Sequence, residues 1–152
     1  MDKEALYKKG MTLSTFDISD IEEGMSVSYI TRVRKKDVKA FAELSGDVSP
    51  LHVNEDFGKK TPFGGNIAHG LLTASYFSTI VGVLLPGRNA LLSGIDLDFI
   101  RPVPVDSEVT VSASVVKVQR PNRMVVLKLL AFLEGEICLE GAARVKVMAY
   151  QQ

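Results

Sequence analysis

The feature that most constrains the fold is an apolar run from Leu71 to Leu85. The run is about 15 residues long and is interrupted by serine, threonine and glycine. A membrane-spanning helix needs roughly 20 mainly apolar residues, so we interpret the run as a core helix. We predict that this helix starts near Ile67, runs to about Leu85 and is ended by Pro86 and Gly87. Because it is apolar nearly all round, other elements must surround it.

Most of the remaining chain alternates between apolar and polar residues, which is typical of β-strands. The alternation predicts five strands, at Ser26–Val33, Ile95–Phe99, Val109–Val115, Met124–Leu133 and Ile137–Val147. Turn residues at 121–122 and 134–135 separate the last three strands, which predicts an antiparallel meander. Lys36–Ser45 has helical periodicity instead, and Gly46 is placed to end that helix in a left-handed conformation.

These elements predict an α+β domain in which one long buried helix packs against one antiparallel sheet. Residues 1–16 show no convincing period and are predicted to form an N-terminal arm, followed by a single domain over residues 17–152. One helix covers only part of a five-stranded sheet. The apolar sheet that stays uncovered, together with its edge strand, therefore predicts a homodimer.

The charge balance argues against two classes of partner. Among 152 residues, 18 lysines and arginines balance 18 aspartates and glutamates, so no overall field attracts nucleic acid or an anionic membrane. We interpret the Lys35-Lys36 pair as a solvated face. Arg88, Arg120 and Arg123 could meet the phosphates of a large cofactor-like substrate, but we interpret them too as solubilising surface residues.

The cysteine content and the first residues bear on the compartment. The single Cys138 excludes an intrachain disulfide framework and a multi-cysteine zinc site. The first residues are polar and charged and lack the apolar stretch of a secretory signal. We therefore expect a cytoplasmic protein.

The candidate catalytic residues lie between Ser45 and His69, a stretch rich in glycine, proline and serine. Such a stretch must turn, and turns bring polar side chains together. Asp47 and His52 would place a carboxylate and an imidazole on one short loop, where they could act as an acid/base pair. Ser49, before Pro50, would support this loop. The alternative is structural, with Asp47 as a turn former and His52 as a satisfied core residue.

Gly70 and His69 follow at the predicted start of the long helix. Unpaired amides in the first helical turn can bind an oxyanion, and glycine would let a substrate carbonyl approach; alternatively, Gly70 is small only for packing. We interpret His69 as structural, with its ring bonded to a loop carbonyl. A metal site formed by Asp47, His52 and His69 is conceivable, but the pattern gives it no specific support, and we expect no metal.

Two further features have open interpretations. Gly70, Ala74, Ser78 and Gly82 form a stripe of small residues, which favours tight packing of the helix on the sheet over a slim apolar ligand. The segment from His52 to Asn66 has no period, and we predict an irregular loop held down by the aromatic side chains at positions 57 and 63.

Three stretches resemble the MaoC-like, R-specific enoyl-CoA hydratases (hydratase 2). They are Phe41–His52 (FAELSGDVSPLH), Thr61–Leu72 (TPFGGNIAHGLL), and Leu85–Gly87 (LPG) followed by Asp98–Val103 (DFIRPV). Their order and approximate separations also match, and the resemblance covers about residues 20 to 148. It implies a hot-dog fold, in which a curved antiparallel β-sheet wraps a long central α-helix, and a homodimer.

The resemblance also implies an activity, the reversible syn addition of water to a trans-2-enoyl thioester. Asp47 and His52 would activate the water and deliver its proton to the α-carbon, and the Gly70 amide would polarise the thioester carbonyl. No metal or organic cofactor is implied, and coenzyme A or the arm of acyl carrier protein enters with the substrate. Ser49 and Ile95 depart from the asparagine and glutamine usual in the family. A non-catalytic acyl-thioester binder and a thioesterase are the alternatives.

Overall fold

The computed structural model describes residues 12–150. Its five strands are β1 (Ser26–Arg32), β2 (Ala90–Phe99), β3 (Glu108–Gln119), β4 (Met124–Leu133) and β5 (Glu136–Val147). They form one antiparallel sheet in the order β1-β3-β4-β5-β2. The five predicted strands and the meander of the last three are confirmed, and β1 and β2 are the edges of the sheet.

Four helices lie in the described chain. They are α1 (Lys35–Ser45), α2 (Pro50–Val53), α3 (Glu55–Lys59) and α4 (Gly70–Thr79). The last of them continues as a π-helical turn over Ile80–Leu84. No helix of residues 12–150 is long and apolar enough to cross a membrane.

The core lies between α4 and one face of the sheet. Alternate residues of β3 and β4 are almost fully buried, among them Val109, Val111, Val125, Leu127 and Leu129. They join the buried side of the central helix, which carries Leu72, Tyr76, Phe77 and Ile80. The apolar residues that alternate with polar ones in these strands thus form the buried face of the sheet.

A hydrogen bond fastens the central helix to the edge strand β1. The phenol of Tyr29 donates to the carbonyl of Tyr76 at 2.7 Å. Burial of this phenol raises the pKa of Tyr29 to about 12, because the charged form would lose its hydration. The bond therefore keeps a neutral donor at the helix–sheet contact over the ordinary pH range.

The strand β5 departs from strict alternation. Its register with β4 shifts between Ala131 and Phe132, which pair with Leu139 and Ile137. Cys138 is therefore an extra residue, and both it and Leu139 are buried, whereas Ile137 is only half-buried. The alternation predicted for this strand fails at the bulge. One inserted residue there makes the side chains before and after it point to opposite faces from those that strict alternation would give.

The central helix begins later than predicted. It starts at Gly70 rather than near Ile67, and His69 occupies its N-cap with non-helical backbone angles, φ of −56° and ψ of 134°. The reason is that residues 66–68 pair with another segment: Ile67 bridges Pro104, and the Ala68 amide donates to the Val103 carbonyl at 2.8 Å. An amide engaged in this bridge is not available to a helical turn.

The segment after His52 is more regular than predicted, because α2 and α3 occupy much of it. The prediction that Phe57 and Phe63 hold it down is wrong: these side chains are 46% and 49% exposed. Hydrogen bonds hold the segment instead, as described below.

The stripe of small residues changes its surroundings along its length: a Cβ on Gly70 would meet the Phe99 ring of β2, and Ala74 packs against the core. Gly70, Ser78 and Gly82 are exposed and Ala74 is half-buried. Among the described residues, no atom lies within 4 Å of a Cβ built on Gly82. The prediction of tight helix-on-sheet packing therefore holds at Gly70 and fails at Ser78 and Gly82, which leave an open surface.

Of the predicted N-terminal arm, residues 1–11 lie outside the described part of the chain. The backbone amides of Ser14 and Phe16 form hydrogen bonds with the segment that follows α4. The Ser14 amide donates to the Val83 carbonyl at 3.0 Å and the Phe16 amide to the Pro86 carbonyl at 3.2 Å.

Candidate active site

Asp47 is positioned by the end of α1. Gly46 caps this helix in the left-handed conformation, with φ of 79°, and its amide donates to the Ala42 carbonyl at 2.9 Å. The cap turns the chain sharply, as predicted, and leaves the Asp47 side chain 51% exposed. The Asp47 carboxylate accepts the Ser49 amide at 3.1 Å, so the loop orients the carboxylate through a local turn.

His52 is positioned by α2. Its Nδ1 lies 2.7 Å from the Ile67 carbonyl oxygen. A carbonyl can only accept, so Nδ1 carries the proton and Nε2 presents a lone pair. One backbone bond thereby selects the tautomer that a general base requires.

His69 connects the two sides of the site. It is only 2% exposed, and its Nε2 donates to the backbone carbonyl of Asp47 at 2.9 Å. Its ring stacks on His52 with centroids 4.0 Å apart and contacts Phe41 at 4.9 Å. The contact from His69 to a loop carbonyl was predicted from the sequence, and it holds the backbone beside the Asp47 carboxylate.

Gly70 opens α4, and the aromatic ring of Phe99 lies beside it. A Cβ built on Gly70 would approach two carbons of this ring to 3.0 and 3.2 Å. Phe99 belongs to the edge strand β2 and is 51% exposed. The ring therefore packs closely on Gly70, and any larger residue there would force the ring to shift by a few tenths of an ångström.

Asn66 and Gly58, which sequence reasoning missed, hold the loop that carries His52. The Asn66 amide group donates to the carbonyls of Leu51 and Asn54, each at 2.9 Å. We call these hydrogen bonds of the Asn66 side chain the Asn66 clamp. Gly58 packs against it, since a Cβ at Gly58 would lie 2.6 Å from the Asn66 side chain. The signal available was a Gly-Gly-Asn turn, which predicts a turn but not the partners of its side chain.

The segment containing Asn66 is in turn fixed to the connection between β2 and β3. Besides the Ala68 bond, the Val105 amide donates to the Asn66 carbonyl at 3.1 Å. The loop, the clamp and the start of α4 thus form one hydrogen-bonded unit around the site.

The same unit brings Asp47, His52 and His69 together, with ligand atoms within 4.8 Å of one another. The Nε2 atom of His69 faces the Asp47 carboxylate at 4.0 Å, but it already gives its proton to the Asp47 carbonyl. A metal ion would have to displace this bond. The arrangement suits proton transfer, because an exposed carboxylate and an imidazole lie within 4.8 Å of one another.

A cavity of about 730 Å³ adjoins the site. His52 lies in its wall, together with Val53 from α2, Phe63 from the following loop, and lysines from α1. The volume lies in the range of small-molecule sites, about 300–1,000 Å³.

Comparison with known proteins identifies a family for the chain. Residues 17–130 match the family model described as the MaoC like domain. An (R)-specific enoyl-CoA hydratase of Rhodospirillum rubrum is 36% identical over 130 residues, which are 86% of this chain and 90% of the relative. A 3-hydroxybutyryl-CoA dehydratase of Methylorubrum extorquens is 37% identical over 128 residues, covering 84% of this chain and 82% of the relative.

A solved structure supports the fold. The (R)-hydratase from A. caviae involved in PHA biosynthesis superposes with a TM-score of 0.82 at 35% identity, covering 84% of this chain and 97% of that one. The expected hot-dog fold, an antiparallel sheet with a central helix, is thereby confirmed. On the family model, the relatives and the fold together, this chain belongs to the MaoC-like domain family.

Proposed function

We propose that the protein is an R-specific enoyl-thioester hydratase, or 3-hydroxyacyl-thioester dehydratase in the reverse direction. The observation that carries the proposal is the state of His52: its Nδ1–H is committed to the Ile67 carbonyl, so its Nε2 is free to accept a proton beside the Asp47 carboxylate. Relatives named as (R)-specific enoyl-CoA hydratase and 3-hydroxybutyryl-CoA dehydratase support it.

In the proposed reaction, Asp47 and His52 hold one water molecule between them. They remove a proton as the water oxygen bonds to the β-carbon of the enoyl group, and they return a proton to the α-carbon. Both groups regain their starting states, so water is added with no other reactant. The Gly70 amide, at the positive end of α4, donates to the thioester oxygen while negative charge develops there.

The proposal includes a homodimer formed through the edge strand β2. This strand exposes the large apolar side chains of Leu91, Leu92, Ile95 and Phe99. An unpaired edge strand with an exposed apolar patch is a typical site of association with another chain. The exposed small residues Ser78 and Gly82 leave open surface along the central helix and the turn after it, which gives room for an acyl chain. The cytoplasmic location expected from the sequence stays a prediction.

The test is the loss of enoyl-thioester absorbance on adding crotonyl-CoA, with chiral analysis of the product. We expect an R-3-hydroxy product and no free thiol. Asp47→Asn and His52→Ala should each lower kcat by about 100-fold or more, the scale of general acid–base catalysis. The matched control is Asp56→Asn, which removes an exposed carboxylate from α3 of the same loop and should retain wild-type turnover.

Release of free thiol would identify a thioesterase and contradict the hydratase assignment. Tight acyl-CoA binding without turnover would identify a binding protein. Near wild-type rates in both site variants would show that the roles of Asp47 and His52 are wrong.

A further inference from the structure

A buried nitrogen of His69 has no hydrogen-bond partner within the described part of the chain. The side chain is 2% exposed. Its Nδ1 atom is buried and unpaired, whereas its Nε2 atom bonds to the Asp47 carbonyl. An unpaired buried acceptor lowers the stability of a fold, because it loses its hydration and gains no bond in return. Stability alone therefore does not explain a histidine at this position.

The two histidines of the chain are held in opposite tautomers. The Asp47 carbonyl can only accept, so the Nε2 atom of His69 carries the proton and its Nδ1 atom has the lone pair. In His52 the Ile67 carbonyl fixes the proton on Nδ1 instead. His52 thus keeps a lone pair for chemistry, whereas His69 uses its N–H group to hold the backbone.

His69 lies where three helices meet. It is the N-cap of α4, and its ring contacts Phe41 of α1 and His52 of α2, with centroids 4.9 and 4.0 Å away. Its own carbonyl accepts the amides of Leu72 and Thr73 at 3.1 and 3.2 Å. The first turn of the central helix therefore fixes the backbone from which the ring extends.

The contact with His52 supplies a restraint that the hydrogen bond of His52 lacks. The bond from Nδ1 to the Ile67 carbonyl fixes the direction of one N–H group, but the ring could still turn about that direction. Because Nε2 lies off this axis, turning would move its lone pair. The His69 ring packs on the His52 ring at an interplanar angle of 30°, which limits the turning and so determines where the base points.

The bond to Asp47 acts on the other member of the pair. The Nε2 atom of His69 donates to the Asp47 carbonyl at 2.9 Å. Its distance to the Asp47 carboxylate is 4.0 Å, which is beyond the reach of a hydrogen bond. His69 therefore fixes the peptide group of Asp47 and leaves the carboxylate able to bind water.

We propose that His69 is a positioning residue for both members of the acid/base pair: its ring sets the orientation of His52, and its Nε2–H group sets the backbone of Asp47. The inference rests on the proposed function for the reaction that this positioning serves. A displacement of about 1 Å in a reacting group can cost about 100-fold in rate. Loss of either contact should therefore lower kcat and leave KM nearly unchanged.

Two variants of His69 separate the two contacts. His69→Phe keeps a ring beside His52 and removes the N–H donor, whereas His69→Gln keeps an N–H donor of similar reach and removes the ring. For each we expect kcat for crotonyl-CoA to fall about tenfold, with KM within about twofold of the wild-type value. His69→Leu keeps neither contact, and we expect a loss of about 100-fold in kcat.

Stability distinguishes positioning from a merely structural role. His69→Phe removes the unpaired nitrogen, so we expect its midpoint of urea unfolding to equal or exceed that of the wild-type protein while kcat falls. The matched control is Val125→Ala, at a fully buried position of β4 outside the site, which should lower the midpoint and retain wild-type kcat. Wild-type kcat in both His69→Phe and His69→Gln, or a parallel fall of midpoint and kcat in both, would overturn the proposal.

A measurement without substrate separates this inference from the proposed function. Because the chain has two histidines, ¹⁵N-labelled histidine gives two ring systems, and the shifts of the ring nitrogens show which nitrogen carries the proton. In mildly alkaline solution we expect opposite tautomers in the wild-type protein, assigned by comparison with His69→Phe. His52 should keep its Nδ1–H tautomer in His69→Phe and become a mixture of both tautomers in His69→Gln.

These spectra also decide the case in which the reaction is absent. If the wild-type protein does not hydrate crotonyl-CoA, the proposed function fails, and the tautomers alone show whether His69 positions His52. The same tautomer for both histidines in the wild-type protein, or an unchanged His52 tautomer in His69→Gln, would overturn the inference.

Discussion

A single backbone carbonyl determines the chemistry available to His52. Of the two neutral tautomers of imidazole, only the one protonated at Nδ1 can donate to the Ile67 oxygen, and that tautomer leaves Nε2 as the base. The position of this carbonyl depends in turn on the bridge between Ile67 and Pro104. A backbone contact on the far side of the loop thus decides which ring nitrogen can react.

Gly70→Ala tests the space in front of the helix amides. The new methyl would lie 3.0 Å from the Phe99 ring, so the ring must shift, and the methyl group narrows the space proposed for the substrate carbonyl. We expect kcat to fall about tenfold or more while the melting temperature stays within about 3 °C, because alanine favours a helix. Thermal unfolding and initial rates are the measurements.

The double variant Gly70→Ala with Phe99→Leu is the control for this crowding. A smaller side chain at 99 should restore much of the lost rate. Equal loss in the single and double variants would contradict the proposal that the ring and the amide share this space.

The candidate site shows which single residues a sequence can reveal. Asp47, His52 and His69 were predicted because loop chemistry and the two histidines draw attention to one short stretch. Asn66, Gly58 and Phe99 were not, since their roles depend on what lies across space from them. An asparagine in a turn looks the same whether its amide group clamps a loop or faces solvent.

At the scale of elements, Asn66→Ala tests the clamp on α2 and α3. The variant removes donors to the Leu51 and Asn54 carbonyls. We expect the free energy of unfolding to fall by about 2 kcal/mol and kcat to fall as well, because α2 carries His52. Urea unfolding and steady-state rates measure the two effects.

Asn122→Ala is the matched control for the clamp. Asn122 lies in an exposed turn before β4, and its replacement should change neither stability nor turnover. Wild-type stability in Asn66→Ala would show that side-chain bonds do not hold the loop.

The sequence predicts the long elements better than the short ones. The strands β3 and β4 and the helix α1 contain enough repeats for their periods to be recognised, and a glycine or turn marks their ends. Helices α2 and α3 have only 4 and 5 residues, too few to show a period. The bulge at Cys138 could not be predicted from the sequence, because Ile137, Cys138 and Leu139 are consecutive apolar residues and show no alternation that the extra residue could interrupt.

At the scale of the whole molecule, the two sheet edges differ. The edge strand β2 exposes a series of large apolar side chains, whereas on β1 Ile30 is the large apolar residue that is exposed. The asymmetry predicts that copies of the chain associate through β2 and not through β1.

Ile95→Lys tests this assembly, and Ile30→Lys is its matched control. The two isoleucines are 40% and 41% exposed, so each substitution adds one charge at a similar position on an edge. We expect Ile95→Lys to shift the dimer towards the monomer and lower activity, and Ile30→Lys to do neither. Light scattering after gel filtration gives the masses, and dissociation by Ile30→Lys instead would contradict this choice of edge.

The buried phenol of Tyr29 predicts a loss of stability in alkali. Its pKa is raised from 10.0 to about 12, so between these values the unfolded chain loses a proton that the folded protein keeps. Stability therefore falls as pH rises through this window, by about 3 kcal/mol for Tyr29. Urea unfolding at pH 10 and pH 12 should show that Tyr29→Phe lacks this part of the decrease.

Tyr150→Phe is the control for the alkaline effect, because it removes an exposed phenol. Its stability should decline with pH as in the wild-type protein. The same decline in Tyr29→Phe would show that ionisation of this phenol does not limit alkaline stability.

The way residues 46–70 are attached to the sheet has a consequence for engineering. Residues 46–70 carry Asp47, His52 and Gly70, the groups proposed to perform the hydration. Main-chain bonds from Ala68 to Val103 and from Val105 to Asn66 join the segment to the sheet connection. Main-chain bonds do not depend on which side chains the recipient carries. The segment is therefore portable: grafted between two MaoC-like scaffolds, it would carry the proton chemistry along, while the choice of acyl chain would stay with the sheet and helix that receive it.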